Sequence, residues 1–210
     1  MYAVYLFDFD YTLVNSEPGI LGCFRRTIEA LHLPPVTDDT IRHTIGLPME
    51  KAVEIITGLH DAAEIDHFID IYRGDADIHM TPGTHFFPET LPTLRALRER
   101  GAKIGIISTK TRSRIEEKFI VDGCTDLIDL VIGCEDVTAM KPAPEGIEKA
   151  IARLGAKKAD TLYTGDSLVD AGAAKNAGVA FAAVTTGTTP AEAFEDMPHV
   201  KIMKNLGELP

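Results

Sequence analysis

The chain has 210 residues, 45% hydrophobic and 25% charged, which suits one large globular domain or one domain with a small insert. These figures exclude disordered, collagen-like and disulfide-scaffold chains. Lys and Arg total 21 against 32 Asp and Glu, a formal charge of −11, so neither nucleic acid nor an anionic membrane is an expected partner.

In chain order, the first apolar run, Ala3–Phe9, reads as a buried strand. The start has no basic residues and no small-residue cleavage site, so no signal peptide is expected. No apolar run approaches membrane-span length, and a cytoplasmic location is expected. Residues 16–80 then show helical patterns without a convincing strand. Ser16 is placed to cap a helix with Ile20, Phe24, Ile28 and Leu31 on its apolar side, ended by Pro34 and Pro35. Thr37 caps a short second helix. Pro48 fits the first turn of a third that buries Ala52, Ile55 and Ile56, and Asp61 caps a fourth containing Ile65, Phe68, Ile69 and Tyr72. This segment holds 5 basic and 12 acidic residues, hence −7 of the total charge.

Beyond it, Lys103–Ser108, Leu127–Gly133, Thr161–Thr164, Val179–Thr185 and Val200–Met203 read as further strands. They are nearly continuous in apolar residues, the pattern of strands covered on both faces in a parallel sheet. Helical faces lie between them: Leu91, Leu94 and Leu97; Ile115, Phe119 and Ile120; Ile147, Ile151 and Leu154. The alternation predicts an α/β fold with an open, doubly wound parallel sheet, residues 1–15 and 81–210, interrupted by a helical insert at 16–80. Cys23, Cys124 and Cys134 are odd in number and widely spaced, so free thiols are expected and a zinc site is not.

The chemistry concentrates at strand ends. Asp8-Phe9-Asp10-Tyr11-Thr12 closes the first strand, and residues two apart on a strand share a face. Two carboxylates crowded at a carboxyl-terminal strand edge call for a cation, and Mg2+ suits a few carboxylates with retained waters. The alternative is a turn that happens to contain two Asp. Gly165-Asp166-Ser167-Leu168-Val169-Asp170 forms a second acidic group, with Asp170 one helical turn after Asp166; helix capping by Asp166 or Ser167 is the competing reading. Ser108 and Thr109 end another strand, where hydroxyl and backbone N–H groups suit phosphate oxygens. Lys141 precedes a proline-marked turn.

Together these motifs, in this order, resemble the haloacid dehalogenase-like (HAD) hydrolase superfamily, in its phosphatase branch. The insert resembles the helical cap of the subgroup that includes phosphoglycolate phosphatases, pyrophosphatases and β-phosphoglucomutase. The resemblance implies a Rossmann-like HAD core with a cap domain and assigns roles. Asp8 is the nucleophile that forms an aspartyl-phosphate, Asp10 the general acid and base, and Thr12 a brace for the loop. Ser108 holds the transferring phosphoryl group and Lys141 neutralises it. Mg2+ is held by the Asp8 carboxylate, the Asp10 backbone carbonyl and Asp166, with Asp170 direct or through water. Tyr11 departs from the glycine common at its position, and Glu89 from another. In the insert, Arg42 and Gly46 are candidate substrate contacts, as is Thr109 in the core; Arg42 reads equally as a solvated helix charge.

The expected activity is hydrolysis of a small phosphorylated metabolite, phosphoglycolate-like, with inorganic pyrophosphatase or phosphomutase as the enzymatic alternatives. An acid at position 10 argues for phosphate-ester or anhydride chemistry. The non-enzymatic alternative is a regulatory module that binds Mg2+ and phosphate. Oligomeric state is not read from the sequence.

Overall fold

The computed structural model describes residues 1–209. In chain order its elements are β1 (Val4–Phe7), β2 (Val14–Asn15), α1 (Glu17–Ala30), α2 (Asp38–Arg42), α3 (Met49–Thr57), α4 (Ala62–His79), β3 (His85–Phe86), α5 (Thr90–Glu99), β4 (Lys103–Ile107), α6 (Arg112–Val121), β5 (Leu130–Ile132), α7 (Glu145–Leu154), β6 (Thr161–Gly165), α8 (Leu168–Ala177), β7 (Ala180–Val184) and β8 (Lys201–Met203). The chain divides into two compact units, residues 1–14 with 86–210 and residues 15–85. The boundaries fall within β2 and β3.

The first unit is an α/β layer structure. Its six strands run in the order β5-β4-β1-β6-β7-β8, every adjacent pair parallel. Alternate side chains of each strand enter opposite cores. Tyr5, Phe7, Ile104, Ile106 and Val184 face α5 and α6, meeting Leu94, Leu97, Ile115 and Phe119. Val4, Leu6, Ile107, Tyr163 and Phe181 face α7 and α8. Both faces are therefore dry, which is why the strands lack a polar alternation. On α7, Ile147, Ala150, Ile151 and Leu154 are buried at helical spacing, and the helix stops at Gly155, whose φ of 63° is costly for a residue with a Cβ. The buried side of α8 is built from Ala171, Ala173, Ala174 and Ala177, so its backbone can lie close to the sheet.

The second unit is helical. Ile41, Val53 and Phe68 are fully buried at its centre, and the Phe24 ring lies 4.7 Å from that of Tyr72, centroid to centroid. Asp61 accepts hydrogen bonds from the N–H groups of Ala63 and Glu64, and Thr37 accepts one from Thr40, satisfying donors that a helix start leaves unpaired.

Several local expectations are corrected. Ile55 is 49% exposed, because Ala52, Val53 and Ile56 define the buried stripe of α3 and position 55 lies off it. Ile120 is 65% exposed: it follows buried Phe119 by one residue, about 100° around the helix. Pro48 is the N-cap of α3 rather than a first-turn residue. Ser16 occupies the N-cap of α1, but its side chain makes no capping bond there. Among the described residues no helix is long and apolar enough to cross a membrane.

Candidate active site

β1 is hydrogen-bonded to β4 on one side and β6 on the other, so the segments after these three strands emerge side by side. The winding of the sheet reverses here, and such a point opens a crevice at the carboxyl ends of the strands. Asp8 follows β1 directly, its N–H donating to the Thr164 carbonyl at 2.9 Å. Asp166 follows β6. Asp170 sits in the first turn of α8, where it and Ser167 form a capping box.

Asp8, Asp166 and Asp170 are all buried, and each offers a carboxylate oxygen such that the three atoms lie within 4.8 Å of one another. Lys141 reaches into this group. Its Nζ lies 2.6 Å from Asp170 Oδ1 and 2.9 Å from Asp8 Oδ1. The ammonium is thus shared between the two carboxylates. Asp170 is fully committed. Its Oδ1 accepts from Lys141 and from the Tyr163 hydroxyl (2.9 Å), its Oδ2 from the Ser167 N–H (3.1 Å) and Oγ (2.5 Å).

The electrostatics follow from crowding in a dry place. Burial pushes Asp8 up to about 7; Lys141 opposes this, and Asp170 and Asp10 add repulsion. Burial, then Asp170 and Asp8, raise Asp166 well above the ordinary carboxylate range. For Lys141 burial alone would lower proton affinity, but Asp170 and Asp8 more than reverse it, so it stays an ammonium. Three buried carboxylates with oxygens within 4.8 Å of one another, and more anionic than cationic groups, are what a divalent cation of the Mg2+ type fits.

The carboxylate of Asp10 is not one of these three. Its Oδ2 lies 3.1 Å from Lys110 Nζ, and its Oδ1 is buried without a partner among the described residues. Thr12 is fully buried and donates to Asp166 Oδ1 at 3.2 Å, tying the loop after β1 to the end of β6. Ser108, just past β4, donates its N–H to the Ile132 carbonyl, and its Oγ accepts from the Lys110 N–H. Thr109 follows it and is partly buried. Tyr11 is buried with a φ of 59°, so this turn needs the left-handed region where glycine is at ease. Its carbonyl accepts from the Thr186 hydroxyl. Arg42 and Gly46 belong to the helical unit, where Arg42 pairs with Glu17 at 2.7 Å and Asp39 at 3.2 Å and Gly46 has a φ of 94°.

The sequence reading gave no role to Lys110, Tyr163 or Gly187. Tyr163 carried a signal: a phenol in a strand buried on both faces must find a polar partner, and here it meets Lys141 and Asp170. Gly187 carried none. A Cβ there would fall 1.9 Å from Asp166 Oδ2. Its φ is not in the left-handed region, so Gly187→Ala meets only this collision. We expect the substitution to displace Asp166; where this carboxylate holds a divalent cation, a titration of thermal stability with that cation should shift rightward by about 10- to 100-fold.

The family model for haloacid dehalogenase-like hydrolases matches residues 5–184. A pyrophosphatase PpaX from Anoxybacillus flavithermus is 33% identical over 179 residues, spanning 85% of this chain and 81% of that protein. A crystal structure of a protein named as a haloacid dehalogenase-like hydrolase from Bacteroides fragilis superposes with a TM-score of 0.96 at 48% identity, covering 100% of both chains. The fold is shared by a protein named a predicted phosphoglycolate phosphatase from Haemophilus somnus, with a TM-score of 0.89 at 20% identity over 99% of this chain and 96% of that one.

Proposed function

The chain belongs to the haloacid dehalogenase-like hydrolases, and from that premise we propose that it is a magnesium-dependent phosphatase of a small phosphorylated metabolite, acting through an aspartyl-phosphate on Asp8. The observation that carries this reading is the convergence of buried Asp8, Asp166 and Asp170 on one point with the Lys141 ammonium among them.

An Asp8 oxygen attacks phosphorus. The bond from phosphorus to the leaving oxygen breaks, and Asp10 gives that oxygen a proton. Asp10 then takes a proton from water, whose oxygen attacks the phosphorus of the acyl phosphate. Inorganic phosphate leaves, and the Asp8 carboxylate is restored. Ser108 and Thr109 hold phosphoryl oxygens, Lys141 offsets their charge against that of Asp8, and Thr12 keeps Asp166 in place. Mg2+ would be held by Asp8, the Asp10 backbone carbonyl and Asp166, supplying charge neutralisation between phosphate and nucleophile. Asp170, with both oxygens already taking two donors each, orients Lys141 and would serve the ion through water. The helical unit is the counterpart of the family's cap domain, and Arg42 and Gly46 are its candidate substrate-binding residues.

Phosphoglycolate is the representative substrate. Inorganic pyrophosphate is the second reading, favoured by the PpaX relatives. Phosphate release from p-nitrophenyl phosphate, pyrophosphate and a panel of phosphorylated metabolites, with Mg2+ and with chelator, tests the proposal. We expect release that requires Mg2+; inert protein under every metal condition would leave the regulatory binding module standing instead.

A further inference from the structure

We propose that Lys110 is a specificity-determining residue that selects substrates whose leaving group carries its own negative charge, a second phosphate or a carboxylate. The inference rests on the reading of Asp10 as the group that serves the leaving oxygen.

Lys110 follows β4 as Asp10 follows β1, and the pairing of these strands sets the two loops side by side. The Lys110 Nζ lies 3.1 Å from Asp10 Oδ2, with side chains 12% and 7% exposed. Among the described residues, Asp10 is the one ion-pair partner of this ammonium. The other Asp10 oxygen is buried with no hydrogen-bond donor among the described residues. An ammonium carries three donors, so Lys110 retains donor capacity beyond its contact with Asp10.

The backbone that presents Lys110 is braced. Its N–H donates to Ser108 Oγ at 3.3 Å and its carbonyl accepts from the Cys134 N–H at 3.2 Å. Two residues on, the Arg112 N–H is held by the Glu135 carboxylate at 3.0 Å. The close approach requires Gly133, where a Cβ would lie 2.4 Å from the Arg112 nitrogen. Enclosing most of a lysine side chain costs desolvation and side-chain entropy, a poor use of a residue whose only task is one ion pair.

The two lysines of the site divide the work. Lys141 accompanies Asp8, where the transferring phosphoryl group must sit, and it is also tied to Asp170 and Tyr163. Lys110 accompanies Asp10, on the leaving side. Against a neutral alcohol Lys110 keeps Asp10 as its one charged partner. Against a phosphate or carboxylate it forms a charge-assisted hydrogen bond.

The test compares kcat/KM on pyrophosphate, phosphoglycolate and 2-hydroxyethyl phosphate, the last having a neutral leaving group of the same length as glycolate. Wild-type protein is expected to prefer a charged leaving group. Lys110→Met should cut the charged-to-neutral ratio by about 10- to 100-fold, the worth of one hydrogen bond to a charged group, with the loss falling mainly on KM. Lys110→Arg should restore part of it. A ratio within one preparation does not depend on the fraction folded, so partial misfolding leaves the readout intact. Loss on pyrophosphate alone identifies the second phosphate as the partner; loss on phosphoglycolate alone identifies the carboxylate. An unchanged ratio, or a wild type that turns over only the neutral ester, overturns the role of Lys110 while the phosphatase reading stands. Absence of Mg2+-dependent phosphate release from all three substrates and from p-nitrophenyl phosphate counts against the phosphatase reading itself.

Discussion

Asp8→Asn is expected to lower phosphate release by about 10⁴-fold or more while raising the thermal stability of the metal-free protein near neutral pH. The two effects share one cause. The Asp8 carboxylate is buried beside Asp170 and Asp10, and burial outweighs the help of Lys141, so that its proton affinity climbs to about 7. An ionised group held in such a place costs stability, and its value must lie elsewhere: an amide of the same shape removes the charge and the nucleophile together. Lys141 keeps its contact with Asp170 at 2.6 Å, so the substitution does not strand a buried ammonium. With saturating Mg2+ the sign reverses, because the wild type gains more from the ion than the variant does. Steady-state kinetics and thermal melts with and without Mg2+ read all three statements. Undiminished turnover by the variant would falsify the assignment of Asp8 as nucleophile.

The fold was legible because its strands are buried on both faces. A run such as Lys103–Ile107 or Ala180–Val184 needs no polar alternation, and the helical periodicity between runs points to parallel strands joined by crossovers. Periodicity was less reliable at the ends of helices. It placed Ile120 on the face of Phe119 although the last turn of α6 already looks outward. Strand ends made the acidic motifs visible, since Asp8 and Asp166 each directly follow an apolar run. What escaped reading depends on neighbours distant in sequence. Lys110 acquires meaning only when β4 pairs with β1, Tyr163 only when the loop bearing Lys141 folds over the end of β6, and Gly187 only when the segment after β7 is pressed against Asp166. The spacing of Ser167 and Asp170 announces a capping box but not that the other Asp170 oxygen goes to Lys141 and Tyr163, which separates a residue that orients the lysine from one free to bind a metal directly.

Magnesium should stabilise the protein far more near pH 8 than near pH 5, and the metal-free protein should itself lose stability as pH rises between those limits. The sign follows from the raised carboxylates. Burial, and then the repulsion of neighbouring acids, lift Asp8 to about 7 and Asp166 well above its ordinary range. Between the ordinary carboxylate range and about pH 7 the folded chain therefore binds more protons at these sites than the unfolded chain. Stability present at low pH is lost as pH climbs through the folded-state value. Protons and Mg2+ compete for the same oxygens. Near pH 5 the ion must displace protons that already relieve the crowding, so its increment in melting temperature is small. Near pH 8 it meets ionised carboxylates held against each other and relieves them directly. Asp166→Asn removes one member of the group and should flatten both the pH dependence and the Mg2+ increment, a readout that needs no substrate. Equal Mg2+ increments at the two pH values would mean that the ion binds away from the Asp8, Asp166 and Asp170 cluster, and the chemistry assigned to it would have to move with it.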